Sequence, residues 1–372
     1  MLLWLHEAGL LGKHALYGYL TFRMVFAAVA GFLLCAGLTW LLMRLLRSAK
    51  MFERHNYEDF EHIKPLVEKG LATPAAEKPR TVVSMGGIAI TLSVLLSAGF
   101  FADLRNPLVL AGLLLMVLCA ALGFADDWQK LKHPRSHGMS EASKILIGIL
   151  AAAAVLGLLY RMNGVSDDFQ TVWLPIFKNT AIHLGGFYFV LFAAVLFVTS
   201  NSVNITDGVD GLAAGLVAVA ALALAVVCYV VGRTDFSAYL YITHVPGAGE
   251  LAVLLASCSG AALGFLWHNA APASIYMGDT GSLPLGAVLG YAGLVSKQEV
   301  LMLIVCGIFL IEFASSLIQR VSYKLTGKRY FPIAPVHHTL ERAGWPKNHI
   351  VVRAYIIGIF LALIALGTLK IR

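Results

Sequence analysis

Charge is scarce in this chain. Only 13% of its 372 residues are Asp, Glu, Lys or Arg, against roughly 25% in a typical soluble domain. That shortage excludes an ordinary water-soluble globule. Paired cysteines are missing too. Cys35, Cys119, Cys228, Cys258 and Cys306 lie singly within apolar stretches, with no CxxC pair. This excludes a disulfide framework and leaves the five as buried small hydrophobes. No period of 20–50 residues and no low-complexity tract is present, so repeat architectures are excluded. The first apolar run is too long for a cleaved leader and lacks a small-residue cleavage site, so it is expected to stay in the membrane.

Hydrophobic residues, by contrast, make up 59% of the chain. A membrane-crossing helix needs roughly 20 mostly apolar residues. Ten such runs are present, at 22–46, 82–101, 107–124, 143–159, 183–199, 212–231, 249–267, 283–295, 300–319 and 351–369. They predict an all-α polytopic membrane protein of about ten transmembrane helices, one domain over 1–372, with only loops between the helices. The net charge of +7 is unevenly placed. Loops 47–81, 125–144, 200–211, 268–282 and 320–350 fall on one side and carry most of the 28 Lys and Arg. The positive-inside rule assigns that side to the cytoplasm and puts both termini outside.

The acidic motifs gather on the same side. "GFADDWQK" brings Asp126 and Asp127, "NSVNITDGVDG" brings Asn204, Asp207 and Asp210, and "WHNAAPASIYMGDTGS" brings Asn269 and Asp279. Adjacent carboxylates repel unless a cation or proton sits between them. If the 204–210 stretch is helical, its three polar side chains share an arc of about 120°. Carboxylates with amide oxygens and no thiolates suit a hard cation such as Mg²⁺, which shares its shell with substrate phosphates. One such loop by itself reads as a solvated helix cap; three on one side point to a site.

Basic residues flank it. Lys130, Lys132, Arg135 and Lys144 surround the "DD" loop, and Arg320, Lys324, Lys328 and Arg329 precede "FPIAPVHHTLERAGWP". Topology and anionic lipid headgroups account for most of these charges. His337 and His338, adjacent and beside the acids, are candidates to donate to phosphate oxygens. No Cys and no i, i+4 histidine completes a zinc site around them. Glu312, inside an apolar run, is an intramembrane carboxylate and so either a functional group or a buried structural partner.

Together "YLTFR", "SMGGI", "DDWQK", "GMS" with Lys144, "LPIFK", "SNSVNITDGVDGLAAG", "HNAAPASIYMGDTGSLPLG", "YKLTGKRYF", "APVHH" and "GWP" resemble, in order and nearly end to end, the polyprenyl-phosphate N-acetylhexosamine-1-phosphate transferase superfamily. Within it the chain is similar to the phospho-N-acetylmuramoyl-pentapeptide transferase family. The resemblance implies Mg²⁺-dependent transfer of phospho-N-acetylmuramoyl-pentapeptide from UDP-N-acetylmuramoyl-pentapeptide to undecaprenyl phosphate, giving lipid I and UMP. It implies a multi-pass protein of the bacterial inner membrane with its site facing the cytoplasm. Its partners are then the two substrates, membrane lipids and a second copy in a homodimer; no nucleic acid is expected.

By resemblance, Asp279 is the metal ligand, Asp126 deprotonates or orients the lipid phosphate, and Asp127 supports it. Asn204 and Asp207 are essential polar residues of the central loop. Asp210 and Asn269 stand at uracil-recognising positions, and Tyr276 stands where the family usually stacks a Phe. His337 counts among the catalytic residues and is the stronger candidate of the histidine pair, while His338, Lys144 and Ser84 fall at phosphate or neighbouring positions. Two departures stand out. The segment before "SMGG" is longer and rearranged, with Ser84 for the usual Thr and either Lys78 or Arg80 for the usual Lys. Thr339 replaces a third histidine. Alternatives are a sister enzyme using UDP-N-acetylglucosamine, an ion or solute transporter, and an inactive relative acting as a scaffold. A transporter would place its ionisable groups near the midplane, whereas these acids cluster at helix ends.

Overall fold

The apolar runs become helices because lipid offers no partner for backbone N–H and C=O groups, and a helix satisfies them within the segment. The computed structural model describes residues 1–9, 15–49, 82–132, 138–162, 169–173 and 181–370. The main helices are α1 (Leu2–Glu7), α2 (Leu20–Ser48), α3 (Gly87–Phe101), α4 (Pro107–Lys132), α5 (Glu141–Arg161), α6 (Phe187–Thr206) and α7 (Leu212–Val231). They continue with α8 (Thr234–Leu240), α9 (Ala248–Asn269), α10 (Asp279–Val295), α11 (Glu299–Val305), α12 (Gly307–Thr326), α13 (Val336–Arg342) and α14 (Lys347–Thr368). The chain is a polytopic membrane protein of essentially all-α build.

Each of the ten runs forms helix, but not ten uniform crossings. Among the described residues seven helices are long and apolar enough to cross a membrane, or eight if α11 and α12 form one span bent by 80°. At about 1.5 Å per residue, the 15-residue α3 and 17-residue α10 fall short of a roughly 30 Å hydrocarbon core. A second difference lies between α5 and α6. Thr171–Trp173 and Ala181–His183 pair as an antiparallel two-stranded ribbon, where only loop was expected. The "LPIFK" motif, Lys78 and Arg80 lie outside the described residues.

At the centre stand α7, α9 and α10; every residue of α10 is buried. Without a hydrophobic drive between helices, membrane packing relies on close approach of small residues. The seam between α2 and α9 does this: a Cβ at Gly260 would overlap the Ala28 carbonyl, and one at Gly264 would overlap that of Phe32. The outer helices turn their large apolar side chains outward, as with Phe187 at 77% and Phe360 at 61% exposure, which suits contact with lipid. The five cysteines are free and buried, as the sequence implied.

Candidate active site

Three helix ends build the site. Asp126 and Asp127 close the last turns of α4, Asn204 lies in the last turn of α6, and Asp279 is the first residue of α10. The N-terminal turn of a helix leaves backbone N–H groups without partners. The residue at the cap of α10 is Gly278, which has no side chain to supply one. Asp127 does so from the neighbouring helix. Its Oδ1 accepts the Asp279 N–H at 3.0 Å, and its Oδ2 accepts the Thr280 N–H at 2.9 Å and the Thr280 hydroxyl at 2.6 Å. The fit demands glycine at 278, where φ is +72° and an added Cβ would stand 2.6 Å from Asp127 Oδ2.

Asp126 is fully buried. Its Oδ1 accepts the Met139 N–H at 2.7 Å and lies 2.9 Å from Lys144 Nζ. Lys130 Nζ stands 2.7 Å from Oδ2, an ion-pair distance without hydrogen-bond alignment, so Oδ2 is a buried oxygen that lacks a hydrogen bond. Both lysines also reach Asp279 Oδ2, Lys144 at 3.1 Å and Lys130 at 3.3 Å. Asn204 Nδ2 donates to Asp279 Oδ1 at 2.7 Å and to Ser282 Oγ at 2.8 Å.

Asp126, Asp127 and Asp279 each present an oxygen within 4.8 Å of the others, and all three are buried. Three carboxylates against two ammonium groups leave a negative balance. That surplus and an all-oxygen donor set fit a hard divalent cation.

The central segment, expected as a loop over 200–211, is helical only as far as Thr206, so the shared helical arc does not form. Helix α6 stops at Thr206, Asp207 caps it, and Gly211 at φ +82° starts α7. Consequently Asn204 and Asp210 do not share a helical face: Asn204 bonds Asp279, while Asp210 Oδ2 accepts the Ala273 N–H at 3.0 Å. Asn269 is 2% exposed, and its amide links two backbone stretches, accepting from Gly211 N–H at 3.0 Å and donating to the Ile275 carbonyl at 2.8 Å. It therefore ties the turn bearing Asp210 to the segment bearing Tyr276. That segment pairs with the start of α3, since Tyr276 N–H donates to the Val83 carbonyl and Gly86 N–H donates to the Tyr276 carbonyl, both at 2.9 Å. Ser84, half-buried, lies between those contacts.

Among the histidines, His337 is buried and sits on Glu312, whereas half-buried His338 pairs with Glu341 at 2.8 Å. Thr339 Oγ1 donates to the Ile333 carbonyl. The site-residue expectations did not include Lys130, Thr280 or Ser282. The signal for Lys130 was available in its i, i+4 offset from Asp126 on one helix face. For Thr280 and Ser282 the sequence offered only proximity to Asp279.

Residues 109–297 match the family described as Glycosyl transferase family 4. A phospho-N-acetylmuramoyl-pentapeptide-transferase of Borreliella burgdorferi is 40% identical over 357 residues, covering 95% of this chain and 97% of its own length. The chain belongs to this transferase family. Equally similar are enzymes of the same name from Desulforapulum autotrophicum, 39% identical over 360 residues (96% of this chain, 95% of theirs), and Borrelia hermsii, 39% over 363 residues (98% and 99%). Membership makes the acid cluster part of a phosphoglycosyl transferase, and the family match spans every helix that contributes to it.

Proposed function

We propose that this enzyme transfers phospho-N-acetylmuramoyl-pentapeptide from its UDP carrier to undecaprenyl phosphate, releasing UMP and forming lipid I, the first membrane-bound product of peptidoglycan synthesis. The observation that carries this reading is the convergence of Asp126, Asp127 and Asp279 with Lys130, Lys144 and Asn204 at helix ends. The names of relatives that match almost the whole chain support it. A site at helix ends serves a reaction in which one substrate is anchored in the bilayer and the other is dissolved in the cytosol. In this reading the site faces the cytoplasm, both termini lie outside, and the enzyme sits in the inner membrane as one domain, paired as a homodimer.

Both substrates are anions, so their approach is opposed by charge. A Mg²⁺ ion held by Asp279 and Asp126, with Asp127 and Asn204 adjacent, would neutralise the diphosphate and the charge that develops on the leaving group. In this reading Lys130 and Lys144, which pair with Asp126 and Asp279, turn to hold phosphate oxygens. Asp126 accepts the proton of the lipid phosphate or orients it. A lipid phosphate oxygen then forms the new bond to the sugar-linked phosphorus while the bond from that phosphorus to the bridging oxygen breaks, and UMP leaves with that oxygen. Direct attack is favoured because a positioned phosphate monoester is already a competent nucleophile. Asp210 and Tyr276 offer edge and face contacts to uracil, Asn269 shapes that pocket, and Asp207, Ser84, His337 and His338 line the phosphate path.

The deciding experiment offers purified protein undecaprenyl phosphate, Mg²⁺ and either UDP-N-acetylmuramoyl-pentapeptide or UDP-N-acetylglucosamine. UMP release with the first donor and none with the second is the expected result. Turnover with UDP-N-acetylglucosamine alone would establish the sister activity instead.

A further inference from the structure

Glu312 lies within α12 and is buried. A carboxylate inside an apolar span is expensive and persists where it has a partner. Among the described residues that partner is His337. Its backbone N–H donates to Glu312 Oε1 at 3.2 Å and approaches Oε2 at 3.4 Å, and its Nδ1 lies 3.2 Å from Oε2. No Lys or Arg among the described residues forms an ion pair with Glu312.

Both ring nitrogens are buried without an aligned hydrogen bond, so Nδ1 meets Glu312 at ion-pair distance only, and Nε2 lies on the far side of the ring. It abuts Gly208, where an added Cβ would stand 2.5 Å away. Gly208 follows Asp207 in the turn between α6 and α7, so the imidazole bridges Glu312 and the turn that holds Asp207 and Asp210. The pattern repeats one residue later. His338 Nδ1 meets Glu341 Oε2 at 2.8 Å, and the two imidazole rings stand 4.3 Å apart. Burial would raise the Glu341 carboxyl, but its hydrogen bond to His338, that ring's charge and Lys347 outweigh burial and hold it below its ordinary range.

We infer that Glu312 is a positioning residue for His337, holding the hydrogen on Nδ1 and presenting Nε2 to the central turn. A carboxylate only accepts hydrogen bonds, so the nitrogen facing it keeps its hydrogen. Nε2 is then the atom whose proton comes and goes, and its partner, resting on the function proposed above, is a phosphate oxygen of a substrate. Carboxylates that orient histidines in this way fix both the tautomer and the ring direction.

The test is Glu312→Gln. The new amide oxygen still accepts the His337 N–H, but its NH₂ faces Nδ1 and drives the hydrogen to Nε2. In protein labelled with ¹⁵N-histidine, the His337 resonance, assigned by its loss in His337→Asn, is expected to show a protonated Nδ1 in the wild type and a protonated Nε2 in the Gln variant. The kcat for UMP release falls about 10- to 100-fold, with KM for both substrates within about threefold, as expected when an interaction is made only in the transition state. Glu312→Gln combined with His337→Asn is no worse than His337→Asn alone. Glu312→Asp, which retains a carboxylate, keeps the hydrogen on Nδ1 and recovers part of the turnover. Wild-type kcat in the Gln variant, multiplying losses in the double variant, an unmoved nitrogen signature, or an Asp variant as inactive as the Gln variant at equal thermal stability would each overturn the inference. A wild-type protein that releases no UMP sinks the proposed transfer instead, and the nitrogen signature then decides this inference by itself.

Discussion

Asn204 at the end of α6 donates to the Asp279 carboxylate at the start of α10, Nδ2 to Oδ1 at 2.7 Å. The bond joins the central turn to the acid cluster, and the same amide holds Ser282. Replacing Asn204 with Leu keeps the branched shape and removes both N–H donors. Hydrogen bonds to a charged group contribute about 1.5–3 kcal/mol, so turnover is expected to fall about 10- to 100-fold. Steady-state UMP release checks this, and a Leu variant at wild-type rate would show that the contact does not orient Asp279.

Divalent-ion chelation is expected to stop UMP release, and re-addition of Mg²⁺ to restore it. Asp279→Ala is expected to abolish turnover in excess Mg²⁺, because it removes the one carboxylate that contacts both lysines and the Asn204 amide. Full turnover by the Ala variant would refute the role assigned to Asp279.

Asp127→Ala tests a different idea, that this acid holds a helix end. The change strands the N–H groups of Asp279 and Thr280 and the Thr280 hydroxyl. Loss of one capping interaction costs about 0.5–2 kcal/mol, and buried groups left unsatisfied add about 1–3 kcal/mol. A lower melting temperature than that of Asp279→Ala is the expected outcome in a thermal-shift comparison. Equal melting temperatures would show that Asp127 does not anchor α10.

Gly278→Ala should be damaging despite its small size. The residue has φ +72° with ψ 177° and faces Asp127 Oδ2, so alanine meets both backbone strain of about 1–3 kcal/mol and a steric overlap. The measurements are thermal stability and UMP release, and both are expected to drop.

Far from the site, buried Arg23 and half-buried Glu250 form a bidentate pair at 2.5 and 2.7 Å, completed by the Phe101 carbonyl and the Asp103 N–H. Breaking a buried pair from one side costs about 3–5 kcal/mol, whereas replacing both partners with apolar residues is often close to neutral. Arg23→Met should therefore destabilise strongly, and Arg23→Met with Glu250→Leu should recover most of the loss. A double variant no more stable than the single would disprove this.

Much of the architecture was legible because lipid imposes one rule on every span. Runs of apolar residues must close their own hydrogen bonds, so all ten runs became helices. The sequence could not reveal the 80° break at Cys306 or the short reach of α3, because hydropathy registers composition and not direction. The hairpin at Thr171–Trp173 and Ala181–His183 was hidden for another reason: three-residue strands carry too little periodicity to read. The acids of the site were visible as motifs, and so were their partners Asn204 and Lys144, but Thr280, Ser282 and the part played by Lys130 were not. Lys130 looked like topology charge until the fold set it beside two carboxylates.

By itself the sequence determined that this protein lives in a membrane and that its oxygen-rich motifs sit at helix ends, since both follow from residue type and linear spacing. Only the tertiary structure decided which groups each acid meets. It turned Asp127 toward a helix terminus, Asp126 and Asp279 toward the lysines, and Glu312 toward His337, because hydrogen-bond roles depend on neighbours that lie up to 153 positions away along the chain.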